Sequence, residues 1–256
     1  MIFCALRYYL DKTHYFCKLI QAVLSIYIVM GAIGLLTNAV QFTPFPPIDK
    51  YVIAFEHSLH IDMSQIVAWT AKHTWLQKKL AEIYDSLPYQ MSILPVVIAI
   101  FGQFDKLREY LCLMLISTII GFEFYYFFPT TAPASNLYSP FFSPEQLATG
   151  IKFTEIHNHL SPSTIEGGMI ALPSFHVIWA WLCVYLVRGY KFLFILLLPI
   201  NLVLVLSCVL LGWHYPSDVL GSLIVIFATH AIYQFFYTSH PDITGFKRLD
   251  FFARLL

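Results

Sequence analysis

The chain has 256 residues, 58% of them hydrophobic and 12% charged, with a formal net charge of zero. Soluble domains carry roughly 25% charged residues, so a single water-facing fold is excluded, and the balanced charge offers no basic field to a nucleic acid. Five cysteines without a CxxC pair exclude a disulfide framework and a zinc ribbon.

Taken in chain order, the first apolar run is Phe16–Leu36, preceded by Arg7, Lys12 and Lys18. A span needs about 20 apolar residues for ~30 Å of hydrocarbon. The run is longer than a signal-peptide core and no A-x-A site follows it, so a retained anchor is expected. Gln41–Lys50 carries Pro44, Pro46 and Pro47 and reads as a loop. From Tyr51 to Tyr84, His57, His60, Asp62, His73, Lys78, Lys79 and Glu82 alternate with Ile66, Val67, Trp69, Trp75 and Leu76. That mixture suits an amphipathic helix in the membrane interface. Further spans are expected at Leu87–Phe104, Tyr110–Phe128, Ala171–Val187, Phe192–Leu211 and Val219–Tyr237. The fold class is therefore all-α: a polytopic bundle of about six transmembrane helices plus interfacial helices, forming one membrane domain.

Six spans put Arg7, Lys12, Lys18, Lys106, Arg108, Arg188, Lys191, Lys247, Arg248 and Arg254 on one side. They put Lys50, Lys72, Lys78, Lys79 and Lys152 on the other. The richer side should be cytoplasmic, with both termini there and with Pro129–Ile170 and Gly212–Asp218 facing outward.

Two short segments carry the chemistry, Leu172-Pro173-Ser174-Phe175-His176 and Gly212-Trp213-His214-Tyr215-Pro216-Ser217-Asp218. The topology puts both at the outer face, although neither was used to draw it. Phosphoryl transfer without a metal needs a nucleophile, a proton donor for the leaving oxygen, and donors around the phosphate. A neutral imidazole can attack phosphorus if its other nitrogen is held by an acceptor. His214 and Asp218, four residues apart, share a face if a helix starts near Tyr215. Pro216 is tolerated in a first turn. His176 would supply the proton and the Ser174 hydroxyl would bond a phosphate oxygen. The fourth and sixth spans both start at this face, so two helix N-termini would favour an anion there.

These segments resemble the type 2 phosphatidic acid phosphatase (PAP2) superfamily. Pro173, Ser174 and His176 match its Pro-Ser-x-His block, and Ser207, His214 and Asp218 match its Ser-Arg-x5-His-x3-Asp block. The run Ile165–Leu172 is similar to bacterial members. Phe128-Pro129-Thr130-Thr131-Ala132-Pro133-Ala134-Ser135 resembles a segment of the inositol phosphorylceramide synthase branch, with Ser135 near the place of an arginine. The resemblance spans about Tyr110 to Tyr237. It implies a catalytic core over 110–237, behind N-terminal spans and an interfacial segment over 1–109 and ahead of a cytoplasmic tail over 238–256. It implies a phosphohistidine on His214, Asp218 as orienting acid, His176 as general acid or base, and substrate contacts from Ser174, Ser207, Ser135 and Thr131. It also implies no cofactor, no metal, a phosphorylated lipid or lipid-linked phosphoester as substrate, and an extracytoplasmic site, the expected setting being a bacterial inner membrane. The family's arginine after the serine falls on Cys208, and the Lys-x6-Arg-Pro block is absent. A thiol does not replace a bidentate guanidinium.

Other residues admit plainer roles. Pro173-Ser174 also suits a helix start, and Ser217 or Asp218 a helix cap. Glu123, deep in the third span, is either a pocket residue or a structural one. His57, His60, His157 and His159 are read as headgroup neighbours rather than metal ligands. A non-catalytic PAP2-like transporter or scaffold is the alternative function, although no repeat of broken helices supports transport. The oligomeric state is not legible in the sequence.

Overall fold

The computed structural model describes residues 14–239. Eleven helices fill this range: α1 (Tyr15–Val40), α2 (Asp49–Ser58), α3 (Met63–Lys72), α4 (Thr74–Tyr84), α5 (Leu87–Ile100), α6 (Phe104–Phe127), α7 (Pro133–Asn136), α8 (Pro144–His157), α9 (Phe175–Leu186), α10 (Lys191–Leu210) and α11 (Pro216–Ser239). No strand occurs among the described residues. The chain is an all-α bundle, as its composition requires. Lipid offers the backbone no hydrogen-bond partner, and helices satisfy theirs internally.

Among the described residues, five helical units are long and apolar enough to cross a membrane: Tyr15–Val40, Thr74–Ile100, Phe104–Phe127, Lys191–Leu210 and Pro216–Tyr237. The fourth expected span, Ala171–Val187, is shorter than its apolar run because Pro173 and Ser174 lie outside the helix. It leaves the twelve-residue α9. α9 is the centre of the molecule, packed by α5, α6, α10 and α11. Ile178, Ala180, Leu182 and Leu186 are inaccessible or nearly so, which is why its sequence is apolar on every face. α1 leans on α5 and α6 at the periphery.

The expected interfacial helix Tyr51–Tyr84 is corrected. It divides into α2, α3 and α4, and only the first two stand apart from a candidate span. Asp62 ends one segment by accepting the Ser64 and Gln65 amides as cap of α3. α4 continues through the turn at Asp85–Ser86 into α5 and packs on α10.

The two ends of the bundle differ. At one, Arg188 pairs with Glu109, whose other oxygen accepts the Tyr185 hydroxyl at 2.8 Å, and Trp181 donates to His230 at 3.0 Å. This cluster joins α6, α9 and α11. At the opposite end the start of α9, the turn between α10 and α11 and the 129–170 segment come together. Of the cations expected on the cytoplasmic side, Arg7, Lys12, Lys247, Arg248 and Arg254 lie outside the described residues, as do both termini. Without those five the tally is level, Lys18, Lys106, Arg108, Arg188 and Lys191 against Lys50, Lys72, Lys78, Lys79 and Lys152.

Candidate functional site

The turn after α10 is built around Gly212, with φ +83°. A Cβ there would lie 2.7 Å from Val67 and 2.8 Å from Phe142, so only glycine fits the conformation and the space together. The turn directs the His214 amide to the Cys208 carbonyl at 3.0 Å, and α11 then opens at Pro216. Asp218, in the first turn of α11, accepts the Tyr215 amide at 2.9 Å and lies 3.2 Å from His214 Nδ1.

His214 Nδ1 also lies 3.0 Å from the Ala171 carbonyl. Both neighbours are acceptors, so Nδ1 carries the hydrogen and shares it between them, and Nε2 keeps its lone pair. Burial lowers the pKa of His214 to about 4, against the opposing pull of the Ala171 carbonyl. At neutral pH the ring is therefore an uncharged base with a fixed tautomer.

His176 stands in the first turn of α9. Its ring centroid is 6.0 Å from that of His214. Tyr84, from the end of α4, stacks on His176 at 4.2 Å and on Trp213 at 5.7 Å, with its hydroxyl 3.3 Å from His176 Nδ1. Both imidazoles line a single cavity of ≈ 260 Å³. Its other walls are chiefly apolar and come from α1 (Met30, Ile33, Gly34), α6 (Phe122) and α9 (Phe175).

The remaining residues singled out in the sequence lie elsewhere. Ser174 is fully buried, with its hydroxyl against the Cys208 thiol. Ser207 donates to the Leu204 carbonyl of its own helix at 2.6 Å. Thr131 and Ser135 line a neighbouring groove with Asn136, Gly150 and Thr154, where the Ser135 hydroxyl donates to the Thr131 carbonyl at 2.6 Å. None of these four is among the residues that line the histidine cavity. Glu123 points outward from α6, and His57, His60 and His159 are exposed, while His157 stacks on Phe153 at 4.2 Å.

Three features were not singled out beforehand. The first is α2, which inserts two carboxylates from one helical face, two turns apart. Glu56 accepts the Ser217 amide at 2.9 Å and the Ser217 hydroxyl at 2.8 Å, so it caps α11 from another element. Asp49 accepts the Thr131 amide with both oxygens at 3.0 Å. Burial raises both pKa values, that of Asp49 to about 6 with the Asp218 charge adding to the effect. The start of α11 is thus already met by protein carboxylates, and the expected convergence of two open helix N-termini reduces to α9 alone. The sequence trace of this inward face is the Asp49–Glu56 spacing of two turns, within and just before the segment expected to lie in the interface.

The second is Ala132, held by Asp49 through its neighbour at φ 73°, ψ 163°. This is a conformation nearly reserved for glycine, costing ~1–3 kcal/mol, and Ala132 lines the cavity. The third is Lys152 of α8. It lines the same cavity and is 7% exposed.

Residues 50–232 match the family model of the PAP2 superfamily. No curated protein and no solved structure matches the chain.

Proposed function

We propose, because the chain belongs to the PAP2 superfamily, that its phosphatase-type chemistry on phosphoesters is directed at a phosphorylated lipid and passes through a phosphohistidine on His214. One observation carries this reading: a neutral, Nδ1-protonated His214 shares one cavity with His176, their rings 6.0 Å apart. One phosphoryl group between them can touch both.

In the first step His214 Nε2 attacks phosphorus, the bond from phosphorus to the alkoxy oxygen breaks, and His176 gives that oxygen its proton. Asp218 and the Ala171 carbonyl hold the Nδ1 hydrogen while the ring gains positive character. In the second step a hydroxyl attacks phosphorus, the P–N bond breaks, and His176 recovers a proton from the attacking oxygen. Water as the attacking group gives hydrolysis, and an alcohol gives transfer. Both run through one adduct.

The lipid reading is supported by the apolar walls, which continue from the imidazoles to α1, the candidate span least buried by the rest of the protein. We assign the site to the extracytoplasmic face, an orientation that depends on the charged residues near the two termini. The decisive experiment incubates purified protein with a panel of phosphorylated lipids and prenyl phosphates and traps the enzyme in acid and in base. Wild type should release phosphate and carry an acid-labile, base-stable label, and His214→Ala should do neither. Turnover that persists in His214→Ala removes the proposed route.

A further inference from the structure

Neither of the family's basic blocks supplies this chain with an arginine: one position is Cys208, and the other block is missing. Cys208 is buried, and its thiol donates to the Leu204 carbonyl at 3.4 Å. Phosphate charge must be met by other groups. Among the described residues the cavity is lined by one cation, Lys152, and by no carboxylate.

Lys152 is unusually placed for an ammonium. The capping box of Ser143 and Gln146 starts α8, and Gln146 ties the helix to the α10–α11 turn through the Leu211 carbonyl at 2.8 Å. That fixes Lys152 on the wall of the histidine cavity with 7% exposure. Its Nζ makes one hydrogen bond, to the Gly167 carbonyl at 3.2 Å. An ammonium has three donors, and a buried charge without a counter-ion is costly. Three residues that line the cavity also carry a buried donor with no partner: the hydroxyls of Thr130 and Tyr125 and the indole N–H of Trp179. Buried polar atoms are rarely left unpaired. Three donor groups without acceptors and an ammonium with two hydrogens to spare, carried by residues of one cavity, are the complement of an oxyanion.

We propose that Lys152, with Thr130 and Tyr125, is the site that receives the phosphate oxygens in this cavity, in place of the absent guanidinium groups; the assignment rests on the phosphoryl-transfer reading above. Burial lowers the pKa of Lys152, and an arriving anion would reverse that effect and hold the proton on the amine. The titratable groups facing it are His176, His214, Tyr84 and Tyr125 in the cavity. Glu145, Glu155 and His157 share its own helix, Glu166 precedes Gly167, and Asp49 acts on Tyr125.

The test uses inorganic orthophosphate and the full chain in detergent at constant ionic strength, with binding read as the rise in Tm. Wild type should bind. The half-saturating phosphate concentration should increase roughly ten-fold or more in Lys152→Gln, about three-fold in Thr130→Val, and little in Lys152→Arg. Wild-type binding should weaken as pH rises through a value below the ordinary lysine range. Lys152→Arg should keep its affinity there, since a guanidinium stays protonated. No binding by wild type, unchanged affinity in Lys152→Gln, or the same alkaline decline in Lys152→Arg each overturns the assignment. If Lys152→Gln does not fold, the alkaline comparison with Lys152→Arg decides. Lysine-dependent phosphate binding in a protein that turns over no phosphorylated lipid would keep this site and discard the proposed reaction. Lipid turnover with an unchanged KM in Lys152→Gln would do the reverse.

Discussion

Asp218→Asn separates two roles that are usually confounded, fixing a tautomer and stabilising charge. In a histidine held by a carboxylate alone, the amide can turn its NH2 to the ring and impose the wrong tautomer, a loss of ~10⁴ in the worked serine-protease case. Here the Ala171 carbonyl lies 3.0 Å from Nδ1, nearer than the Asp218 oxygen at 3.2 Å. The Tyr215 amide, 2.9 Å from the same Asp218 oxygen, demands that an acceptor stay in place. The amide oxygen of asparagine therefore keeps both contacts, and its NH2 takes the position of Oδ1, which has no partner. What is lost is the charge. At the 3.2 Å separation and an effective dielectric constant of about 20, a full positive charge on the ring would be worth ~5 kcal/mol, and half a charge ~2.5 kcal/mol. The variant should lose about 10²-fold in kcat. Phosphate release from the best lipid substrate, measured in single-turnover mode, gives the rate, and ring NMR gives the tautomer. A loss of about 10⁴-fold with the tautomer reversed would show that the Ala171 carbonyl does not hold the proton, and a loss under about three-fold would show that no charge develops on His214.

Three further outcomes are expected. Glu56→Ala should cost ~1–3 kcal/mol of stability, because the Ser217 amide and hydroxyl lose their acceptor, and Glu56→Gln much less; equal melting of the two variants would refute the capping role. Gly34→Leu adds a side chain where a Cβ meets nothing within 4 Å, so the fold is kept and the apolar end of the cavity is filled. If it displaces two methylenes of a lipid tail at ~0.8 kcal/mol each, kcat/KM for the lipid should fall roughly ten-fold. Turnover of para-nitrophenyl phosphate and the control Gly31→Leu should be unaffected, and parallel loss on both substrates would exclude a tail slot. In histidine-labelled protein at about pH 6, His214 should remain neutral and Nδ1-protonated, because burial lowers its pKa to about 4 from the ordinary histidine value of about 6.5. A doubly protonated ring at that pH would remove the neutral nucleophile. The melting temperature is a poorer probe of the same shift. As pH falls from about 6.5 to about 4 the unfolded chain takes the His214 proton first and stability drops. Asp49, whose folded value is raised to about 6, takes its proton first in the folded state and offsets that loss over nearly the same window.

The segments bearing His176, His214 and Asp218 were legible because their chemistry is written in short, local spacings. His214 and Asp218 are four residues apart across a helix start, and Pro-Ser-x-His opens another helix. Lys152, Thr130, Tyr125 and Tyr84 carry no such signature. Each comes from a different element, and a lysine in a polar loop region reads as solvated until α8 is seen tied to the α10–α11 turn. Ser207, Ser135 and Thr131 show the converse. They sit at motif positions, yet their polar atoms are engaged by nearby protein groups: Ser207 by Leu204, Ser135 by Thr131, and Thr131 by Asn136 and Asp49. α2 misled for the same reason. Its amphipathic pattern fits a membrane surface as well as it fits a polar seam beneath the α11 start, and hydropathy does not distinguish the two.

By itself the sequence determined that this protein is a bundle of membrane helices, because a chain with 12% charge and long apolar runs can satisfy its backbone and its side chains in no other solvent. It also determined which helix starts bear imidazoles. Tertiary packing alone decided that α9 is the buried axis, that α2 caps α11 through Glu56, and that the donors without acceptors meet on the histidine cavity. The reason is physical. Periodicity and spacing act over one or two helical turns, whereas the partner of a buried polar atom is chosen by whatever element the fold brings alongside it.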